Sequence, residues 1–358
     1  MTSFSLQDRF TPSNLTDVRA YAFQSALAFP SQSRDRLWLE QLAVPVAPDF
    51  IPTPDGWECY ENAVQDPSAY KNEKSVFYWL HRTFYHAAFI FHVPAGASMT
   101  LDLPVFPSEL WPLLIVEIGA GANVTICDDL AVSSGGDTPF RGILVRAAER
   151  VKLQWKGYQH NEASSTFFDH QTFILGEEST LDFYHQEIGK GHTYRELLVQ
   201  LDGYHSEVFS QILFFAHGNQ QQEMRATHLH RGKNTVSHMV SKGAVQDRSH
   251  SRFLGYIQME PGCSGADGQL QEHNLLLSSD ANIDAVPGLE IGHHDVAAGH
   301  SASMERVDSE KLFYLASRGI PKAEAIELIV EGFFWDALQK MKDEKLARVV
   351  FDDIKTYL

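Results

Sequence analysis

Three observations predict a mainly β protein, a parallel β-helix (β-solenoid) with helical segments at both ends. Beyond about residue 75, segments such as Met99–Leu103, Val124–Ile126, Val151–Trp155 and Leu181–Phe183 alternate apolar with polar residues. A period of two marks strands with one buried face. A six-residue window also recurs: Gly96–Leu101, Gly121–Ile126, Ala148–Leu153, Gly176–Leu181, Gly203–Val208 and, more weakly, Arg231–Val236. Successive windows start 25, 27, 28, 27 and 28 residues apart, and each reads as a tight turn leading into a strand. A repeat near 27 residues with a strand at fixed phase is the pattern of stacked coils. Helical start and stop signals, finally, are almost absent until residue 307.

The elements follow in order. Residues 1–74 read as a helical segment and a Pro-rich connector. Asp17–Ala28 places Val18, Tyr21, Ala22 and Ser25 on one side, and Pro30 stops it. Arg34–Leu42 reads as a second helix. Pro45, Pro48, Pro52 and Pro54 then forbid helix. Residues 75–306 are expected to form the solenoid, whose end coils must be capped or used for docking because they expose unpaired backbone. Residues 307–358 return to helix. Asp308 is the expected N-cap, Gly319 the stop and Pro321 the start of the next helix. Ile326, Ile329, Val330, Phe333, Phe334, Ala337, Leu338 and Met341 then form an apolar stripe. Gly332 is expected to break that helix, Leu346–Leu358 to form a last one, and part of the stripe to bind a partner.

Composition narrows the function. The 358 residues hold 29 Lys plus Arg against 46 Asp plus Glu, a formal charge of −17. So acidic a surface argues against nucleic acid and anionic membranes. Only 3 cysteines accompany 17 histidines, and Cys59, Cys127 and Cys263 are far apart, with no CxxC pair. That excludes a disulfide scaffold and a local zinc or iron–sulfur finger. The amino terminus does not read as a signal peptide, and Leu110–Ala122 contains Glu117 and is too short to span a bilayer. The expected location is cytoplasmic.

Several clusters could carry chemistry. His228-Leu-His230 suggests a cupin-like metal site, but Asn234 and Thr235 stand where that motif needs glutamate. Asp128-Asp129 is the candidate acid pair of a β-helical carbohydrate-active enzyme, a lyase or glycosidase, although strand neighbours point to opposite faces. Gly119-Ala-Gly121-Ala lacks the third glycine of a dinucleotide loop, and no Gly-x-Ser-x-Gly elbow occurs. His293, His294 and His300 could converge on iron or zinc, unless His293 and His294 alternate on a strand. Cys263 reads as a turn cysteine and Cys127 as buried rather than ligating.

One resemblance stands beside these readings. It is carried by Gln271–Ser279, Pro287–Ile291, Asp295–Ala302, Val307–Ile320 and Ala325–Phe333, with Val236-Ser-His and Phe253–Ile257 upstream. Over about residues 225–335 the chain resembles the SufB/SufD family, scaffold proteins of the SUF iron–sulfur cluster assembly system. The resemblance implies a right-handed parallel β-helix flanked by helices. It implies pairing of a SufB-like with a SufD-like chain through the carboxy-terminal end of the β-helix, and a SufC-like ATPase on the terminal helices. SufB-type members carry Cys-x-His-x-Ala; here the first position is Ala298, in Ala298-Gly-His300-Ser-Ala302. A chain without that thiolate fits the SufD-like role, with His300 the candidate interfacial metal ligand.

The resulting expectation is a SufD-like assembly subunit without catalytic turnover. It handles a transient iron–sulfur cluster at the partner interface and binds none tightly alone. Residues 275–305 would face the SufB-like partner and residues 308–342 the SufC-like ATPase. The carbohydrate-active enzyme and a homodimeric, non-SUF binding solenoid remain the contrasting readings.

Overall fold

The computed structural model describes residues 53–61, 80–81, 85–107, 110–130, 139–161, 166–307 and 309–358. The helices expected over residues 17–28 and 34–42, and Asp308, lie outside them. Seventeen strands and three carboxy-terminal helices are described in full, and Leu80 and His81 are also helical. The strands are β1 (Glu58–Glu61), β2 (Ala87–Val93), β3 (Ser98–Asp102), β4 (Pro112–Ile118), β5 (Asn123–Leu130) and β6 (Phe140–Ala147). Next come β7 (Lys152–Asn161), β8 (Thr166–Leu175), β9 (Thr180–Gly189), β10 (His192–Leu201), β11 (Glu207–Ala216) and β12 (Gln221–His230). The series ends with β13 (Val236–Val245), β14 (His250–Met259), β15 (Ala266–Leu276), β16 (Asn282–Ile291) and β17 (Val296–Arg306). The helices are α1 (Ser309–Ser317), α2 (Lys322–Lys340) and α3 (Glu344–Lys355).

The even strands form one sheet, in the order β2-β4-β6-β8-β10-β12-β14-β16, with β1 antiparallel on the β2 edge. The odd strands form the other, from β3 to β17, and all other pairings are parallel. This is the parallel β-solenoid the repeat predicts. Each of the six windows leads into an odd strand, from β3 to β13. The left-handed residue of the turn stands two positions before the strand: Gly96, Gly121, Arg150, Glu178, His205 and Asn234 all have positive φ. Gly176 and Gly203 serve another need. A Cβ on Gly203 would lie 2.1 Å from the backbone of Gly176 and Glu177, one coil away. These turns stack too tightly for any side chain there.

Between the sheets lies a continuous apolar core. Trp155 packs edge-on against Phe173, with centroids 5.2 Å apart, and stacks on Phe183 at 6.0 Å. Toward one corner of the same interior the side chains turn ionic. Arg141 donates to both Asp128 oxygens, at 2.6 and 2.8 Å, and to Asp169 at 3.1 and 3.2 Å. Arg195 bonds Asp169, Gln159 and Glu187, and Thr193 bonds Glu187. Burial alone would lift the Asp169 carboxyl, but the two guanidiniums outweigh it and hold it at about 2.

The helices cover the outer face of the odd sheet. Val330, Phe334, Ala337, Leu338 and Met341 bury against Tyr184, Leu213, Phe215 and Ala244. Full burial of such side chains stabilises by about 2 kcal/mol each. Polar ties fix the register: Gln211 donates to the Ala337 carbonyl at 2.6 Å and Lys242 to that of Phe333 at 2.9 Å. Lys156 bonds Asp343 at 2.7 Å, and Asp343 in turn caps α3 by accepting from the Leu346 N–H at 3.1 Å. The expected break at Gly332 does not occur, because α2 runs through it without interruption. An exposed helical glycine costs only about 1 kcal/mol, less than the stripe gains on the sheet. Every residue of that stripe is buried or partly buried, and the exposed apolar side chains of α2, Leu328 and Trp335, lie outside it.

Candidate functional site

The last coil differs from all those beneath it. β16 and β17 close the two sheets, so each has one paired edge, with β14 and β15 respectively, and one open edge. Strands β7 to β15 are largely buried, whereas most of β17 and the end of β16 are exposed. Leu289, Ile291 and Met304 are 38, 43 and 52% exposed there. Pro287 sits within β16, in register with Gly255. Proline lacks the N–H a central strand needs and is confined to edges, so this residue marks β16 as a terminal strand.

His300 lies on β17 in register with Leu270, whose side chain is in the core. Its imidazole therefore takes the inner phase of the stack but stays exposed, with no further coil above it. Ala298 pairs with Gly268 and shares that phase. A cysteine at that position would stand about 6.6 Å from His300 along the strand, on the same face. His293 and His294 lie together in the β16–β17 turn, ring centroids 4.8 Å apart. No group of three or more His, Cys, Asp or Glu that could hold a metal ion occurs among the described residues. The three histidines thus do not form a convergent ligand set within the chain.

The other candidates resolve into structural roles. His228 and His230 are wholly buried on the inner face. His228 pairs with Ser210 at 2.8 Å; His230 pairs with Thr235 at 2.7 Å and with Ser237 at 2.8 Å. Burial first, and then neighbouring His230 and His238, push His228 down to about 3; burial takes His230 to about 4. Both are neutral at physiological pH and serve as interior hydrogen-bonding groups. Asp128 is buried against Arg141, while Asp129 faces outward beside His160 at 3.0 Å. The two carboxylates do not face a common groove. Cys263 is fully buried in the core, in the turn before β15, whereas Cys127 is only half-buried. Burial raises both thiols, opposite to the shift a reactive thiolate needs.

Sequence reasoning missed one group. On the inner face of β15, Glu272 and Asn274 are 1 and 2% exposed, and their side-chain polar atoms have no hydrogen-bond partner. The signal was present in Leu270-x-Glu272-x-Asn274-x-Leu276, a polar pair within an apolar phase. It becomes visible only once the inward phase of that strand is known.

These features define the class: a two-sheeted parallel β-solenoid, helix-covered on one face, with an open-edged coil at its carboxy-terminal end. The family described as SUF system FeS cluster assembly, SufBD core domain, matches residues 108–333. The chain belongs to that family, and within it is SufD-like. The iron-sulfur cluster assembly protein SufD of Escherichia coli (strain K12) is 27% identical over 237 residues, 66% of this chain and 56% of that protein. Its namesake in Bacillus subtilis (strain 168) is 31% identical over 180 residues, 50% of this chain and 41% of that protein. An iron-sulfur cluster assembly SufBD family protein of Mycobacterium tuberculosis (strain ATCC 25618 / H37Rv) is 32% identical over 182 residues, 45% of this chain and 46% of that protein. The chain thus spans about half the length of the relatives it matches. Among the described residues, no helix is long and apolar enough to cross a membrane.

Proposed function

We propose that this chain is a SufD-like subunit of a SUF assembly complex, acting without catalytic turnover of its own. Its terminal coil docks a SufB-like scaffold, and the nascent iron–sulfur cluster is the cargo handled at that junction. The observation that carries this reading is the open-edged coil itself, whose two terminal strands expose Leu289 and Ile291 on β16 and His300 and Met304 on β17. Such an edge is a template for strand pairing with another chain. His300 supplies an imidazole to the cargo, while the partner supplies thiolates. An imidazole binds iron less tightly than a thiolate, so a cluster held partly by histidine is more readily passed on. A SufC-like ATPase docks on the helices, with α1 as the contact because Phe313 and Tyr314 are 75 and 56% exposed. The complex works in the cytoplasm.

Co-expression with SufB-like and SufC-like partners tests the reading. His300→Ala is expected to leave the complex assembled while lowering its iron and its visible absorbance. Unchanged cluster formation would remove His300 from the site. Phe313→Glu with Tyr314→Lys is expected to lose the ATPase and keep the SufB-like partner. Surface substitutions serve better than removing residues 308–358, which would strip α2 and α3 from the odd sheet and expose its apolar face. If the chain instead self-associates and ignores both partners, the homodimeric solenoid is the better reading.

A further inference from the structure

Beneath the terminal coil, β15 turns toward the interior a carboxyl group with nothing to bond. Both Glu272 side-chain oxygens lack a hydrogen-bond partner, as do the Asn274 side-chain oxygen and nitrogen. Ser241 of β13, in register with Glu272, has an unpartnered hydroxyl as well. Five polar atoms of three neighbouring inward side chains are therefore unsatisfied in one place. Elsewhere in the interior the charges are matched, as at Arg141 and Arg195.

The surroundings give Glu272 no counter-charge. The inward faces of β13, β14 and β16 bear no ionisable side chain. β17 brings two, each offset from Glu272: His300 in register with Leu270, and Arg306 in register with Leu276. Glu272 itself is in register with Ala302. On its own strand, His273 points outward, bonded to Ser303 at 2.9 Å, and Asp267 shares that outward phase. An ionised carboxylate without a partner is costly to bury, so the group keeps its proton, and burial pushes its pKa up to about 8.

We propose that Glu272 is a proton-controlled latch for the terminal coil: as the neutral acid it lets β16 and β17 close over β14 and β15, and its ionisation loosens them. This goes beyond the docking reading and does not depend on His300 being a ligand. The sign follows from linkage. An opened coil returns the carboxyl to its ordinary pKa near 4.3, whereas the closed coil holds it higher. The closed form therefore binds the extra proton. Its advantage is complete at low pH, declines as pH rises between the two values, and stops declining once the closed form also ionises. The latch thus ties access to the inner face of the docking end to proton concentration.

Hydrogen exchange on the full chain, read on peptides covering residues 282–306 and corrected for intrinsic rate at each pH, tests this. The opening equilibrium of the wild type is expected to rise about tenfold per pH unit from roughly pH 5 to 8, then level off. Peptides from β7 to β11 should show no such slope. Glu272→Gln should abolish the slope and keep the terminal peptides protected at pH 9. Glu272→Met, which fills the site without a titrating group, should do the same if the glutamine variant folds poorly. His300→Ala should keep the wild-type slope, so failure of the ligand reading and failure of the latch are separable. A flat wild-type profile, or the same slope in both Glu272 variants, would overturn the proposal.

Discussion

The middle coils and the terminal coil bury polar side chains on opposite terms. From β5 to β10, three carboxylates and two guanidiniums interlock across both sheets, and Asp169 bonds both arginines. From β13 to β17, Glu272, Asn274 and Ser241 face the same kind of interior and bond nothing. The first arrangement tolerates no change but needs none, since every ion holds its neighbours in place. The second is unfinished, and it lies where the sheet edges are also unfinished. Pairing of buried charge, present in the middle coils and missing at Glu272, therefore separates the part of the solenoid that must stay closed from the part that meets other molecules.

The comparison can be broken at its rigid side first. Arg141→Met leaves Asp128 without a cation and Asp169 short of one, and breaking a buried pair in this way costs about 3–5 kcal/mol. Urea unfolding should show that loss; a change below 1 kcal/mol would mean the network is not the brace described here. Phe334→Ala opens a cavity between α2 and the odd sheet and should cost about 3 kcal/mol, read from the same transition. Asp169 predicts an acid limb. Its folded pKa of about 2 lies below the ordinary 3.8. The stability it adds is present above about pH 4 and lost as pH falls toward 2, roughly 2 kcal/mol in all. Asp169→Asn should remove that limb from a pH series of unfolding midpoints. At the open end the expected effects on stability are smallest. Leu289→Lys should change stability by less than about 0.5 kcal/mol yet abolish capture of the SufB-like partner in a pull-down. Full retention of that partner would move the docking surface elsewhere.

The odd strands were legible because one face alternates and because their turns repeat. The phase of the repeat was less secure. Gly96 and Gly121 are glycines for their positive φ, whereas Gly176 and Gly203 are glycines for lack of space, two residues earlier in the turn. Aligning all four by residue type shifts the windows, so Ile126 pairs with Trp155 and not with Leu153. Most even strands were not legible. Leu113–Val116 is buried on both faces and shows no period of two. In the site, His300 could be reached through the residues around it. Glu272 could not, because a charged residue in a strand looks solvated until the register shows which way it points.

Stacking also fixes distance. Coils repeat about every 4.8 Å, and the helices are tied to β7–β13 while the open edges belong to β16 and β17. The span between a partner held on the helices and a partner held at the edge is thus measured out in whole coils. Deleting or adding one repeat would move the two by a single fixed step without disturbing either surface. The solenoid is a ruler with one graduation per coil, and a complex built on it can change its reach only in those units.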